Sequence, residues 1–224
     1  MDKTSHVLPY LYTRRDSFIV MLRIDIISLT SGIALLFITV SLVLPGSITQ
    51  SSSAEHQYTQ ANRTTSGKLS TNFQTYSNLA FGIKMKYPSN WLKLDLSRNN
   101  SSVLVVAFKT PVGSPLGSLN ILGGNVSSGN VTLAGLVSTT INHLRQTGKM
   151  LHLISSTPTT LAGNLAHKLV YTTMAPQGFE LEAMQLISLV GKKAYFITYA
   201  VPTANYATYL PIILRMIGST VIVK

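Results

Sequence analysis

The sequence predicts an α+β domain, an antiparallel sheet flanked by helices, behind an N-terminal transmembrane helix. Three observations carry this expectation. No charged residue occurs between Asp25 and Glu55. From about residue 150 onward, four strand-length segments follow one another across tight-turn residues. Two stretches, near 133–144 and 206–217, repeat apolar residues at the spacing of one helix face. The chain has 224 residues, 46% hydrophobic and only 11% charged. That is too apolar for a disordered protein and long enough for one domain plus an appendage. With no cysteine there is no disulfide, Fe–S cluster, cysteine zinc site or thiol nucleophile.

Residues 26–44 (IISLTSGIALLFITVSLVL) are nearly all apolar or small, and as a helix they span ~28 Å, the hydrocarbon thickness of a bilayer. Pro45-Gly46 stops the run. Lys3, Arg14, Arg15 and Arg23 precede it and the next cation is Arg63, so the positive-inside rule places residues 1–25 in the cytoplasm and everything after residue 45 outside. The run is longer than a cleaved signal core, which favours a retained signal anchor, single-pass in the cell membrane, over secretion. Ser52-Ser53-Ala54 offers a distant cleavage site. Arg14-Arg15 echoes a twin-arginine signal that Arg23 and Asp25 then interrupt. Residues 46–72 are dominated by Ser, Thr, Gln and Asn and are expected to form a disordered polar linker, reaching ~25–30 Å.

The domain is expected over 73–224. Ile83, Met85 and Tyr87 alternate with Lys84 and Lys86, a half-buried strand ending at Pro88. Residues 103–108 (VLVVAF) are continuously apolar, as in a strand covered on both faces, and 118–122 follows across a Pro/Gly loop. Leu133, Leu136, Val137, Ile141 and Leu144 form a helical stripe, capped by Asn130 or Thr132 and stopped at Gly148. Strands near 150–160, 165–173, 179–190 and 194–201 are joined by Gly163-Asn164, Pro176-Gln177-Gly178 and Gly191-Lys192-Lys193. Connections that short force an antiparallel meander. The last helix, capped by Asn205, places Tyr206, Tyr209, Leu210, Ile213, Met216 and Ile217 on one face, with a kink or a break at Pro211.

The residues at these joints resemble the PsbP-like domain family, named for the extrinsic subunit of photosystem II. They are Tyr76-Ser-Asn-Leu-Ala-Phe-Gly82, Met85-Lys-Tyr-Pro-Ser-Asn-Trp91, Leu161-Ala-Gly-Asn-Leu-Ala166, Gly191-Lys-Lys-Ala-Tyr195 with Thr198-Tyr199, and Tyr206, Tyr209-Leu-Pro211 and Met216-Ile-Gly-Ser219. The resemblance covers about 73–224. It implies an α/β/α sandwich around an antiparallel sheet and a non-enzymatic accessory or binding role. It does not imply photosynthesis, because a membrane helix and a polar tether stand in place of that subunit's own N-terminal region.

Net charge is +11, and the domain carries most of it: twelve Lys and Arg stand against Asp95, Glu180 and Glu182. A calcium site, which needs six to eight oxygens with several carboxylates, is not expected from three acids in a basic field, and no other metal or cofactor is implied. No G-x-S-x-G, P-loop, G-x-G-x-x-G or H-E-x-x-H occurs. His143, His152 and His167 are not spaced as ligands and read as structural. Glu180 and Glu182 share one strand face, where they suit pairing with Lys or Arg on a neighbouring strand rather than acid–base work across a cleft. The chain is therefore not expected to be an enzyme; an unrecognised hydrolase is the lowest-ranked alternative.

The leading expectation is a membrane-anchored accessory module that docks to a membrane-associated or exterior protein partner through a basic surface. Lys84, Lys86, Lys192 and Lys193 are the candidate contacts. The alternative is a free-acting binder of anionic lipid, glycan or another cell-surface polyanion. Trp91 and Tyr87 are a candidate aromatic platform. Nucleic acid is not an expected partner, since the aromatics are not interleaved with a basic groove. Asn62, Asn99, Asn100, Asn125 and Asn130 fit the N-glycosylation sequon.

Overall fold

The computed structural model describes residues 19–28, 34–43, 72–95, 103–111, 113–126, 131–175 and 178–223. The chain divides into two compact units, Met1–Lys68 and Leu69–Lys224.

In the first unit, β1 (Ile19–Ser28) and β2 (Ala34–Val43) pair antiparallel, with Ile19 opposite Val43 and Ser28 opposite Ala34. The run expected as one transmembrane helix over 26–45 is thus divided between the end of β1 and all of β2. β-Branched residues explain the difference. Ile19, Val20, Ile24, Ile26 and Ile27 in one strand and Ile38, Thr39, Val40 and Val43 in the other favour extended backbone. Among the described residues no helix is long and apolar enough to cross a membrane. Residues 1–18 and 46–71, most of the expected cytoplasmic segment and tether, lie outside the described residues.

The second unit has two sheets where the sequence suggests one. The larger contains β5 (Leu92–Asp95), β6 (Val103–Lys109), β7 (Ser118–Asn125), β8 (His152–Leu161), β9 (Asn164–Met174), β10 (Glu180–Val190) and β11 (Lys193–Pro202) in the order β5-β6-β7-β11-β10-β9-β8. The smaller is β12-β4-β3, from β3 (Phe73–Asn78), β4 (Ile83–Pro88) and β12 (Val221–Ile222). The expected β8-to-β11 meander is present, and β11 closes it onto β7 antiparallel. β8 is an edge strand. Its register slips between Leu153 and Ser155, and Pro158 offers no N–H to a further neighbour.

Alternation assigns the faces. Val106, Phe108, Leu119, Ile121, Ile197, Tyr199, Met184 and Leu186 lie on one face of the large sheet. They share a core with Ile83 and Met85 of β4 and with Ile213 and Met216 of α2 (Tyr206–Gly218). Ala107, Leu169, Ile187 and Phe196 face the other way, and α1 (Leu133–Gln146) packs on β9 and β10. β6 is buried on both faces, since Val106, Ala107 and Phe108 are all covered. The hydroxyl of Thr132 accepts from the Gly135 N–H at 3.0 Å, so Thr132 is the cap of α1. His143 is buried with the stripe.

α2 runs unbroken through Pro211, where a kink or break is expected. Pro211 is exposed and near the helix start, so the backbone bond it removes would have tied only to the first turn. A 3-10 turn, Thr203–Asn205, leads into the helix, and Asn205 makes no side-chain capping bond.

The buried tyrosines set an alkaline limit on stability. Burial pushes the Tyr171 hydroxyl up to about 12. Burial, then the Glu182 carboxylate, push Tyr206 to about 12. Tyr199 is raised first by burial and then by Tyr206, Glu182 and Tyr209. A raised folded-state pKa leaves stability intact below the ordinary tyrosine value near 10 and removes it as pH climbs toward 12. Tyr171 alone is expected to cost about 3 kcal/mol over that window. Denaturant titrations at pH 8, 10 and 11.5 check this; a midpoint that stays constant throughout contradicts it.

Candidate docking surface

The surface is built on the turn between β3 and β4. Asn78 starts it, its Oδ1 accepting from the Phe81 N–H at 3.1 Å, and Gly82 ends it with φ +65°. The Gly82 N–H donates to the Leu79 carbonyl at 3.1 Å. Phe81 turns inward and is buried, while Leu79 points out, 86% exposed.

Two distant segments fasten this turn, and a third holds the neighbouring Gly191–Lys192 turn. From β11, the Tyr195 hydroxyl donates to the Phe81 carbonyl at 2.6 Å. The Lys193 ammonium donates to the Ala80 carbonyl at 2.9 Å and lies 5.7 Å from the Phe81 ring centre. From the C-terminus, the Val223 N–H donates to the Gly82 carbonyl at 2.7 Å, and Val221 pairs with Lys84. From β7, the Val126 N–H donates to the Lys192 carbonyl at 2.7 Å, holding the Gly191–Lys192 turn nearby.

Alternation then points Lys84 and Lys86 outward while Ile83 and Met85 are fully buried. Lys84 lies opposite Ser77 and Val221, and Lys86 opposite Thr75. Lys84, Lys86 and Lys192 are exposed and Lys193 is half-buried. The two lysine pairs are far apart in sequence, yet the Lys193 bond to Ala80 brings the second pair to the turn that leads into the strand carrying the first. Val221 and Val223, about half exposed, complete a patch of apolar residues interspersed with lysines. Leu165, 77% exposed, belongs to the same end of the large sheet, where the Ser188 hydroxyl donates to its carbonyl at 2.8 Å.

Acids are few and localised, while cations are spread over the domain: Lys109 shares a row with Ser118, Ala200 and Ala183, next to Glu182. No acid occurs in 73–94 or 183–224. Glu180 and Glu182 open β10, whose other end, Val190, pairs with Lys193, so about 30 Å of strand separates these acids from Lys193. The expected cross-strand Lys or Arg partners of these acids are not there. Glu180 stands opposite Met174, and Glu182 opposite Thr172 and Val201. The Thr203 hydroxyl donates to Glu180 Oε1 at 3.4 Å.

The aromatic platform is corrected by the structure. Trp91 and Tyr87 are buried, at 6% and 5% exposure. Tyr87 packs on Phe108 at 4.6 Å between ring centres, and Trp91 meets Tyr209 of α2 edge-on at 6.4 Å. An aromatic beside a strand end seals the core when a helix lies over it, and α2 does so here.

His167 Nε2 lies 2.8 Å from the Ser156 hydroxyl across β8 and β9, His152 opens β8, and His143 belongs to α1, so the three histidines occupy separate positions. Among the possible glycosylation sites, Asn125 is exposed at the end of β7; Asn62, Asn99, Asn100 and Asn130 lie outside the described residues. Leu79, Val221 and Val223 are the surface residues that sequence reasoning missed. A leucine inside an Asn-to-Gly turn was the available signal for the first.

An antiparallel sheet carrying a helix on each side, with a smaller sheet sharing one of its cores, defines a class of α+β sandwich. The chain belongs to the PsbP-like protein family, whose model matches residues 32–213. The fold is similar to the solution structure of the cyanobacterial PsbP protein CyanoP from Synechocystis sp.. That likeness has a TM-score of 0.52 at 17% identity, covering 73% of this chain and 99% of that one. It is also similar to LpqN of Mycobacterium tuberculosis, a protein described as involved in cell envelope biogenesis. There the TM-score is 0.50 at 12% identity, over 63% of this chain and 83% of that one. No curated protein matches the chain.

Proposed function

We propose that this PsbP-like domain is a non-catalytic binding module, held outside the cytoplasm by a membrane anchor, that works by docking its lysine-bearing end onto a negatively charged surface. The observation that carries the reading is the bond of Lys193 to the β3–β4 turn, which sets the Lys192–Lys193 pair beside the start of the strand that carries Lys84 and Lys86. A local excess of lysine attracts a negatively charged surface and raises the rate of productive encounter. Anchoring rests on the uncharged run over 26–44. In hydrocarbon a two-stranded hairpin leaves its outer edges unpaired, whereas a helix closes its backbone bonds internally, so the bilayer itself favours the helical form of this run.

In-cell crosslinking of the full-length chain, compared with a variant carrying Lys84→Glu, Lys86→Glu and Lys192→Glu, tests the docking role. The native chain is expected to give a reproducible crosslinked species in the membrane fraction, and the charge-reversed chain to lose it. Equal crosslinking by both chains would refute docking onto a protein through this end. Retention of the chain in membranes through an alkaline carbonate wash is expected of the anchor, and its release would remove the anchor from the reading.

A further inference from the structure

The exposed apolar residues of the lysine-bearing end are not scattered. Leu79 stands at the crest of a four-residue turn, the most exposed large apolar side chain among the described residues. Val221 on β12 and Val223 just beyond it lie beside the turn, tied to it through the Val223–Gly82 bond. Lys84 stands directly opposite Val221, Lys86 follows two residues further along the same face, and Lys192 is exposed next to Lys193. Lys193 contributes by fixing the turn, with its ammonium on the Ala80 carbonyl.

We infer that this end is a lipid-contacting device: the lysines engage the phosphates of an anionic bilayer surface and Leu79 enters the headgroup layer. The inference rests on the docking role proposed above and names its occupant. Three features favour lipid over a protein surface. Protein hot spots centre on Trp, Tyr and Arg, and lysine is depleted at protein interfaces; the residues projecting here are Leu, Val and Lys. The apolar residues project from a turn and a two-residue strand rather than lining a groove that a partner's side chain could fill. Lysine stems can lie along apolar surface with the ammonium kept at the phosphates, which suits exposed leucine and valine with Lys84 and Lys193 beside them.

Absence of cysteine makes the test site-specific. The full chain carrying Leu79→Cys, labelled with an environment-sensitive fluorophore, is reconstituted into vesicles of phosphatidylcholine alone and of phosphatidylcholine with phosphatidylglycerol. A control carries the label at Ala204→Cys, exposed in the 3-10 turn that follows the acid-bearing end of the sheet. The label at position 79 is expected to shift to the blue and to resist an aqueous quencher only in the anionic vesicles, with added salt reversing the effect. The label at 204 is expected to stay aqueous in both. Each of Lys84→Gln, Lys86→Gln and Lys192→Gln is expected to lower the docked-to-free ratio about five-fold, and the three together roughly a hundred-fold. In an otherwise unlabelled chain, Leu79→Ser is expected to lower the fraction docked by about ten-fold.

A position-79 label that stays aqueous in anionic vesicles overturns the lipid assignment. If the in-cell crosslink to a protein still depends on the same lysines, the docking role stands and the occupant is that protein. If both signals are absent, the docking role falls with it. An equal blue shift at 79 and 204, or one that ignores lipid charge, also overturns the assignment, because it reports adsorption of the whole chain.

Discussion

Replacing Trp91 by alanine is expected to lower the stability of the domain by about 3–5 kcal/mol, a large share of what a domain of this size possesses. The indole is buried where the β4 strand turns away from the core, and its backbone N–H donates to the Pro88 carbonyl at 3.0 Å. Truncation would leave a cavity bounded on one side by Tyr209, whose ring now meets the indole edge-on. Because Trp91 is the only tryptophan, the variant is followed by circular dichroism in urea, and the native protein by its fluorescence. A blue-shifted native emission that an aqueous quencher does not reach is expected. An unmoved urea midpoint in Trp91→Ala, with crosslinking or vesicle docking lost, would restore Trp91 to a binding platform and contradict its place in the core.

The second large effect is expected from Gly82→Ala. Gly82 has φ +65°, a conformation that costs an L-residue about 1–2 kcal/mol. A Cβ built there would also stand 2.5 Å from the Val223 carbonyl oxygen, a backbone atom with no flexible end to yield. One of the two segments must move, and the Val223-to-Gly82 bond goes with it, a further ~1 kcal/mol. A total loss of about 3 kcal/mol is expected, together with faster amide exchange at Val223 and weakened vesicle docking. Gly163→Ala is the control, since Gly163 has φ +74° with nothing within 4 Å of its Cβ position. It isolates the conformational cost from the collision. Equal losses in the two variants would show that β12 is not wedged against the turn.

Where the sequence is periodic, the fold was legible in it. The alternation Ile83, Met85, Tyr87 against Lys84, Lys86 appears as a strand with its apolar side buried, and the meander of β8 to β11 follows from its turn residues. The stripes of α1 and α2 were equally readable, because two or more turns of helix repeat a signal that one strand states once. β5 and β12 were not, since four and two residues are too few to show a period. The segment 19–43 carries two compatible signals. Its apolarity suits a membrane helix, its β-branched residues suit strands, and the surrounding medium decides between them. The lysines of the docking surface could be named in advance but not brought together, because their adjacency depends on a bond between Lys193 and a turn more than a hundred residues earlier. For Trp91 the sequence left core and platform both open for a related reason: whether an aromatic at a strand end is covered depends on a helix that arrives at residue 206.

The edge of the large sheet bears on how many copies can share a small area. An outermost strand with a free row of N–H and C=O groups can recruit a strand from a neighbouring molecule and begin a fibre. β8 lacks a donor at Pro158, and its slip at Ile154 bends the row out of line, while its Ser and Thr side chains offer little apolar surface to zip. At the opposite edge β5 is only four residues long and carries Lys93 and Asp95. Crowding on a surface would therefore bring copies side by side without templating one another, so that local density can rise without polymerisation.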